Sequence, residues 1–226
     1  MVRRMILPLV FGVIGAAILI SLGVWQLQRL AWKDAVLAEI DARILAEPVA
    51  IPELEALDPE RDRYLPVEAS GNLGAEYIRI LVSQKIQGPG YRIIAPFEIG
   101  GRVILLDRGI ISTRAEIPPA PEGRLDVLGN LHWPDDRNSS TPENDVEGNF
   151  WFARDIAQMA DVLGTEPILM IAREVSGADS AITPFPVDSS SIPNDHLQYV
   201  ITWFSLAFIW LGMTGYLLWR IRQRTV

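Results

Sequence analysis

Two long apolar runs stand near the two ends of the chain. The first extends from Met5 to Val24, 20 residues without a charge, and the second from Leu197 to Trp219, 23 residues without a charge. An α-helix rises about 1.5 Å per residue, so either run is long enough to cross a hydrocarbon core of about 30 Å. The pattern therefore predicts one transmembrane helix within residues 1–28 and a second within residues 196–226.

The first run has two alternative interpretations. A cleaved signal peptide usually has an apolar region of about 7 to 15 residues and ends at a small-residue cleavage site. This run is longer, and the sequence WQLQR that follows it contains no A-x-A-like site. A buried core helix is the other alternative for both runs, and it has less support because no other segment approaches their length. An uncleaved anchor is therefore favoured.

The segments next to the two runs have patterns of their own. Residues 30–47 keep apolar positions near helical spacing, which predicts that the first helix continues outward as an amphipathic helix until Pro48 stops it. Residues 51–62 are a connector rich in proline and acidic side chains. Residues 183–195 are predicted to be a low-complexity tether into the second span.

The central part of the chain alternates short apolar stretches with turn signals, which is typical of a sheet. Strands are predicted at residues 77–86, 91–99, 102–111, 124–133 and 167–175, and a short helix with an Asp N-cap and a Gly C-cap at residues 155–164. The stretches 88–90 and 100–101 are the predicted turns between the first three strands. Turns this short favour antiparallel pairing, because a parallel crossover needs about a dozen residues or more.

These elements together predict a membrane α+β protein. It is a two-helix transmembrane hairpin that carries one external, mostly antiparallel β domain with short helices, and a partly closed barrel is one form that such a sheet can take. The predicted domain boundaries are 1–28 for the first transmembrane helix, 29–195 for the β-rich domain with its leading amphipathic helix, and 196–226 for the second transmembrane helix with a basic tail.

The charges are distributed unevenly along the chain. Residues 28–195 contain all 28 acidic side chains but 15 of the 20 basic ones, a net charge of −13, and the other five basic side chains lie in the two tails. Basic residues beside a span favour the cytoplasmic side, so both termini are predicted to be cytoplasmic. No Arg-rich, acid-poor transit segment precedes the first span, which favours a bacterial plasma membrane and a periplasmic central domain.

Composition also excludes several classes of function. A domain with a charge of −13 repels nucleic acid and anionic headgroups. The chain contains no cysteine, which excludes thioredoxin-like chemistry, Cys-based copper sites and Cys-His zinc clusters. The sequence also lacks an H-E-x-x-H motif, a P-loop and a G-x-G-x-x-G motif. These motifs therefore indicate no enzyme class, and an enzyme would have to be assembled from residues that the sequence does not flag.

Aromatic residues and one histidine mark the beginning of the second span. His196, Tyr199, Val200 and Trp203 have the spacing i, i+3, i+4, i+7, which places them on one helical face. A neutral imidazole at this position could be a metal ligand. His132, the only other histidine, is predicted to be a surface residue in a loop.

The end of the first span has a similar pattern. Trp25, Arg29 and Trp32 have the spacing i, i+4, i+7 and share a helical face. If the two helices pack as a hairpin, this face and the face of His196 lie at the same depth, at the outer membrane interface. The plain interpretation is an interfacial aromatic belt, with Arg29 reaching toward water and the histidine solvated.

A cofactor site is the functional interpretation of the same residues. A single histidine suits haem better than a bare ion, because the porphyrin fills four coordination positions and a proximal histidine is a common axial ligand. The rings of Trp25, Trp32, Tyr199 and Trp203 would pack against the macrocycle. Arg29 could pair with a propionate.

The same two regions also carry a family resemblance. The stretch from Gly23 to Lys33 fits G-x-W-Q-x-x-R-x-x-W-K, and the stretch from Asn194 to Phe204 fits N-x-H-x-x-Y-x-x-T-W-F. Further matches lie in GPGY at 88–91, in PF at 96–97, in RG at 108–109 and in N-x-W-x-x-x-D at 149–155. On these residues the chain resembles the Surfeit locus protein family of Shy-type cytochrome c oxidase assembly factors. Asp107 and Ile110 stand where the family more often has Asn and Trp.

The resemblance implies a non-enzymatic assembly factor that binds or positions haem a for insertion into subunit I of cytochrome c oxidase. Its expected partners are that subunit, other assembly factors and membrane lipid, and its expected iron ligand is His196. A haem-free scaffold that stabilises an oxidase intermediate is the first alternative. A membrane-anchored periplasmic enzyme, for example a hydrolase, is the second.

Overall fold

The computed structural model describes residues 2–84, 88–176, 182–189 and 192–224. Its chain divides into two compact units, Met1–Glu39 with Ser189–Val226, and Ile40–Asp188. The elements in chain order are α1 (Val2–Ile44), β1 (Val49–Ala50), a 3-10 turn (Leu54–Ala56), β2 (Pro66–Leu73), β3 (Ile78–Gln84), β4 (Gly88–Ile99), β5 (Arg102–Ser112), β6 (Arg124–Leu131), α2 (Ile156–Leu163), β7 (Leu169–Val175) and α3 (His196–Gln223).

The two long helices, α1 and α3, are each long and apolar enough to cross a membrane. Only 11% of the most apolar window of each helix is buried inside the structure, so neither is the core helix of a compact domain. The predicted start of the second helix at His196 is confirmed. The first helix is continuous over 43 residues and ends at Ile44, so the predicted stop at Pro48 was four residues too late.

The carbonyl of Ile44 explains why α1 ends at this residue. The last carbonyls of a helix have no partner within it and must be satisfied from elsewhere. Ile44 O accepts hydrogen bonds from Asn130 Nδ2 at 2.9 Å and from Arg173 Nη1 at 3.1 Å. Two side chains from β6 and β7 thus close this helix end in place of a glycine cap.

The unit Ile40–Asp188 contains one seven-stranded sheet with the order β1-β2-β6-β7-β5-β4-β3. In the part of the chain that the structure describes, five strand pairings are antiparallel, while β1–β2 and β5–β7 are parallel. The sheet is therefore mixed. β2 also pairs with β4 through Asn72 and Leu73. The pairings therefore connect β2, β6, β7, β5 and β4 in a closed series. The partly closed barrel stays a prediction.

The predicted strands and the short helix exist, with some corrections. Gly100 and Gly101 form the two-residue turn between β4 and β5, with φ of +57° and +88° that suit glycine. Asp155 caps α2 by accepting from Gln158 N, and Gly164 ends this helix in the left-handed conformation. The stretch 88–90, however, lies inside β4 and pairs with β3, so the prediction that it is the turn between these strands was wrong. Residues 85–87, which connect the two strands, lie outside the described residues.

Two strands were missed by the sequence analysis. β1 has only two residues, and β2 contains Ser70, Gly71 and Asn72, which weaken the apolar alternation. Gly71 is required because a Cβ there would collide with the backbone of Glu98 in β4. The sequence signal of β2 is therefore weak because it contains Gly71, the small residue that lets β4 approach this strand.

The segment before α3 is also more ordered than the predicted tether. Thr183 N donates to Ile110 O at 3.0 Å, and Ile110 N donates to Thr183 O at 2.8 Å. Ile182 is buried with Ile93 and Ile111. The first residues of this segment are thus fastened to β5.

Candidate functional site

His196 contacts the first helix through one specific hydrogen bond. Its Nδ1 lies 2.8 Å from Oε1 of Gln26. Gln26 is 8% exposed and His196 is half-buried. With the amide oxygen as acceptor, Nδ1–H donates, so the lone pair of the neutral ring is on Nε2. No other hydrogen bond of this ring occurs among the described residues.

A second polar contact lies close to this pair. Asn194 Nδ2 donates to Asp34 Oδ1 at 2.7 Å. Asp34 is eight residues after Gln26, which corresponds to about 12 Å along a helix. The beginning of α3 is therefore tied to α1 on two levels.

Three glycines of α1 that precede Gln26 in the chain let the two long helices approach each other closely. A Cβ on Gly12, Gly15 or Gly23 would collide with Thr214, Trp210 or Phe204 of α3. We call these three glycines the glycine seam. Close approach through small residues is a general means of helix association in membranes.

The packed face of each helix follows a spacing of about 3.5 residues. On α1 the buried positions include Gly12, Ala16, Gly23 and Gln26, and on α3 the inward positions are His196, Val200, Trp203, Ala207 and Trp210. Alternating steps of three and four residues are typical of left-handed helix pairs. Trp210 Nε1 also donates to Gly12 O at 2.9 Å.

The predicted aromatic residues occupy different positions around this pair. Trp25, Trp32 and Tyr199 are about half exposed, at 50%, 52% and 51%. The guanidinium of Arg29 lies over the ring of Trp32, 4.5 Å from its centre. One residue corresponds to about 100° of helix rotation, so the side chains of Trp25, Arg29 and Trp32 are turned by about 60° to 120° from that of Gln26.

Trp203 is the aromatic residue that lies on the same face as His196. Its ring is half-buried, and its Nε1 is fully buried without a hydrogen-bond partner in the described structure. A buried donor without a partner is unfavourable. The packing of the two helices thus leaves one polar group of this face unsatisfied within the described structure.

Of the predicted site residues, the structure thus brings His196 and Trp203 onto the packed face and Arg29 onto Trp32. The side chains of Trp25, Trp32 and Tyr199 remain about half exposed. Gln26 was not singled out as a site residue, although it lies within the WQ pair of the first motif. The signal that could have identified it is its spacing of three residues from Gly23, a small residue on the packed face.

A second polar cluster lies in the unit Ile40–Asp188. Asp107 is fully buried and forms an ion pair with Arg92, and Asp107 Oδ1 accepts from Gly109 N at 3.0 Å. Arg92 also donates to Phe185 O at 2.8 Å. Burial raises the pKa of Asp107, and the guanidiniums of Arg92 and Arg154 oppose this effect.

Residues 107–109 form an irregular part of the sheet. They lie within β5, where Ile93 pairs with Gly109 and Ile94 with Asp107, so Arg108 is the extra residue of a β-bulge. Gly109 has a φ of +119° and passes close to the backbone of Thr183. The aspartate therefore pairs across strands with Arg92.

His132 is not the surface residue that the sequence suggested. Its ring stacks on Tyr64 with centroids 5.4 Å apart, and its Nδ1 is buried without a described partner. Burial, together with the nearby charges of Arg154 and Arg63, lowers the pKa of His132 from 6.5 to about 4. Its ring is therefore neutral near pH 7.

Known proteins are similar to this chain over most of its length, including the regions of both terminal motifs. The model of the SURF1 family matches residues 13–208. Surfeit locus protein 1 of Homo sapiens is 30% identical over 214 residues, which cover 83% of this chain and 69% of the human protein. The SURF1-like protein of Rickettsia conorii is 30% identical over 221 residues, covering 92% of this chain and 89% of the relative. The chain, with His196 and Gln26 both inside the matched region, therefore belongs to the SURF1 family.

Proposed function

We propose that this protein is an assembly factor for cytochrome c oxidase that binds or positions haem a for insertion into subunit I. The observation that carries the proposal is the state of His196. Its Nδ1 is occupied by Gln26 while its Nε2 has no partner among the described residues. This is the arrangement of an imidazole prepared to bind a metal.

The predicted site residues on the two long helices are compatible with a haem. His196 would hold the iron, and the half-exposed rings of Trp25, Trp32 and Tyr199 would offer apolar contacts. The haem supplies the iron centre that the oxidase uses for electron transfer.

Arg29 offers the positive charge that a propionate requires. Its guanidinium is kept close to α1 by its contact with Trp32. A cation that is already placed on an aromatic ring loses less conformational freedom when it pairs with an anion. We therefore propose that Arg29 binds a propionate.

The proposed location is the bacterial plasma membrane, with both termini in the cytoplasm and the central domain in the periplasm. The two long apolar helices are compatible with such an anchor. The proposed partners are subunit I of the oxidase, other assembly factors and membrane lipid.

Spectroscopy of the full-length protein tests the haem proposal. Protein produced together with the enzymes of haem a synthesis is expected to show an absorption band of bound haem a after purification. His196→Ala is expected to abolish at least nine-tenths of this absorption because it removes the axial ligand. Tyr216→Ala, which changes an exposed ring near the other end of α3, is the matched control and should retain it.

The second candidate function is a haem-free scaffold for an oxidase intermediate. It is favoured by an apolar groove of about 420 Å³ that is lined by residues of both long helices, among them Ile18, Leu206 and Met213. A partner helix could pack there. A His196→Ala variant that loses no haem a, and still copurifies with subunit I, would favour this scaffold over the haem proposal.

The third candidate, a membrane-anchored enzyme, has less support. The titratable groups with shifted pKa in the central unit are mostly engaged in ion pairs, such as Arg92 with Asp107 and Arg154 with Asp136. Asp107 is completely buried, so a substrate has no access to its carboxyl. The first pair joins two strands and the second joins two loop residues. The names of the relatives do not refer to a reaction.

A further inference from the structure

We infer that Gln26 is a positioning residue for His196, which keeps the imidazole proton on Nδ1 and directs the lone pair of Nε2 outward. The use of that lone pair by haem iron rests on the function proposed above. The state of the ring itself does not rest on it.

The first argument is the geometry of the pair. The distance of 2.8 Å between Nδ1 and Oε1 is that of a good hydrogen bond. The amide oxygen can only accept, so the proton must be on Nδ1. A hydrogen bond to one ring nitrogen commonly determines the tautomer of a histidine that binds a metal through the other.

The second argument is the burial of Gln26. A glutamine in the apolar part of a helix pair is unfavourable unless its polar group has a partner. Gln26 is 8% exposed, and His196 is its only side-chain hydrogen-bond partner among the described residues. The neighbouring Gln28, in contrast, is exposed.

The third argument is that the surrounding contacts hold the pair in place. Asn194 Nδ2 and Asp34 Oδ1 join the helices on one side of it, and Gly23 permits the approach of Phe204 on the other side. The bond between Gln26 and His196 is therefore made between helices whose separation other contacts already determine. Such preorganisation is what allows a single amide to orient a ring.

Nitrogen NMR of the haem-free, full-length protein tests the inference directly. Histidine labelled with ¹⁵N shows which ring nitrogen carries the proton, and the signals that disappear in His196→Ala identify His196. At a pH at which the ring is neutral, the wild type and Gln26→Glu are expected to carry the proton on Nδ1, because both retain an acceptor. Gln26→Leu is expected to shift the proton to Nε2, the form that an imidazole in water favours.

Gln28→Leu is the matched control, since it makes the same change two residues away on an exposed position. It should leave the proton on Nδ1. If Gln26→Leu also leaves the proton on Nδ1, the inference is overturned whatever the protein does with haem.

A haem a titration separates this inference from the proposed function. Gln26→Leu is expected to bind haem a about 10- to 100-fold more weakly than the wild type, the usual effect of losing a partner of a metal-bound histidine. Gln26→Glu should restore binding. If the proton shifts to Nε2 but the affinity stays unchanged, Gln26 does not position a ligand. If the wild type binds no haem a, the proposed function fails, while the role of Gln26 in the state of His196 is retained.

Discussion

At the scale of single residues, the two histidines of the chain differ in what surrounds them. His196 has an amide acceptor on one nitrogen, and its second nitrogen has no hydrogen-bond partner among the described residues. His132 is enclosed by Tyr64 and by the positive charges of Arg63 and Arg154. The first environment preserves a reactive lone pair, whereas the second opposes protonation. Only the first histidine lies in a motif of the family.

The low pKa of His132 predicts a specific loss of stability in mild acid. The unfolded state takes up a proton near pH 6.5, whereas the folded state does so only near pH 4. Stability therefore falls as the pH drops between these values, because the unfolded state binds more protons. At 1.4 kcal/mol per pKa unit, and discounted for partial exposure of the ring, we expect a loss of about 2 kcal/mol.

His132→Phe is the variant that checks this prediction. It retains a ring that can stack on Tyr64 but removes the titrating group. Urea unfolding of the full chain in detergent, repeated from pH 7 to pH 4, should give a flatter stability profile for the variant. Asp136 and Glu166 have a lowered pKa, so they also lose stability toward the acidic end of this range, but they do so in both proteins. Parallel profiles for the two proteins would contradict the prediction.

The sequence predicted His196 and the aromatic residues but not Gln26, and the reason lies in the chemistry of the residue types. Histidine and tryptophan beside an apolar run are uncommon enough to be noticed. A glutamine does not titrate, so apart from its spacing from Gly23 its role is revealed by a partner from a segment 170 residues away. The ion pair of Asp107 with Arg92 was missed because it depends on the register of β4 and β5, which the sequence does not show.

At the scale of elements, the two long helices depend on the glycine seam. The ring of Trp210 lies where a side chain of residue 15 would lie, and its Nε1 is bonded to Gly12 O. A larger residue at position 15 would force this ring to move and would break the bond. The absence of a side chain at Gly15 is therefore needed for the hydrogen bond between Trp210 and Gly12.

Gly15→Leu is therefore expected to separate the helices. The chain has no cysteine, so Asp34→Cys with Asn194→Cys creates a single pair of thiols at a contact between the helices. Adding Gly15→Leu should lower the rate of disulfide formation at least fivefold. Gly212→Leu, at a glycine with open space around it, should not change this rate, and an equal decrease in both variants would argue against the seam.

The elements of the sheet were predictable where each strand carries its own apolar pattern. β5 and β7, for example, lie within one or two residues of their predicted limits. β2 was not predictable, since its Gly71 is required by contact with β4 and not by any local preference. The parallel pairing of β5 with β7 is similarly a property of the assembled sheet.

At the scale of the whole molecule, charge and hydropathy are divided between the ends of the chain and its centre. All the acidic side chains lie between the apolar cores of the two spans, and the terminal segments are basic. This asymmetry is what predicts the orientation in a membrane.

Single cysteines can test the orientation, because the natural chain has none. A maleimide that does not cross membranes should label Ser139→Cys in intact spheroplasts, since this exposed loop residue is proposed to be periplasmic. Arg222→Cys, in the basic tail, should be labelled only after lysis. The reverse pattern would show the opposite orientation, and labelling of both sites in intact cells would exclude a hairpin.

The spacing of Gly12 and Gln26 along α1 has a final consequence. Both lie on the packed face, and 14 residues separate them, which is two repeats of seven. One inserted residue between them would rotate Gln26 by about 100° relative to the glycine, whereas seven would rotate it by only about 20°. The number of residues between Gly12 and Gln26 is therefore constrained as well as their identity. Insertions of seven residues should keep Gln26 on the packed face of α1, whereas insertions of one residue should not.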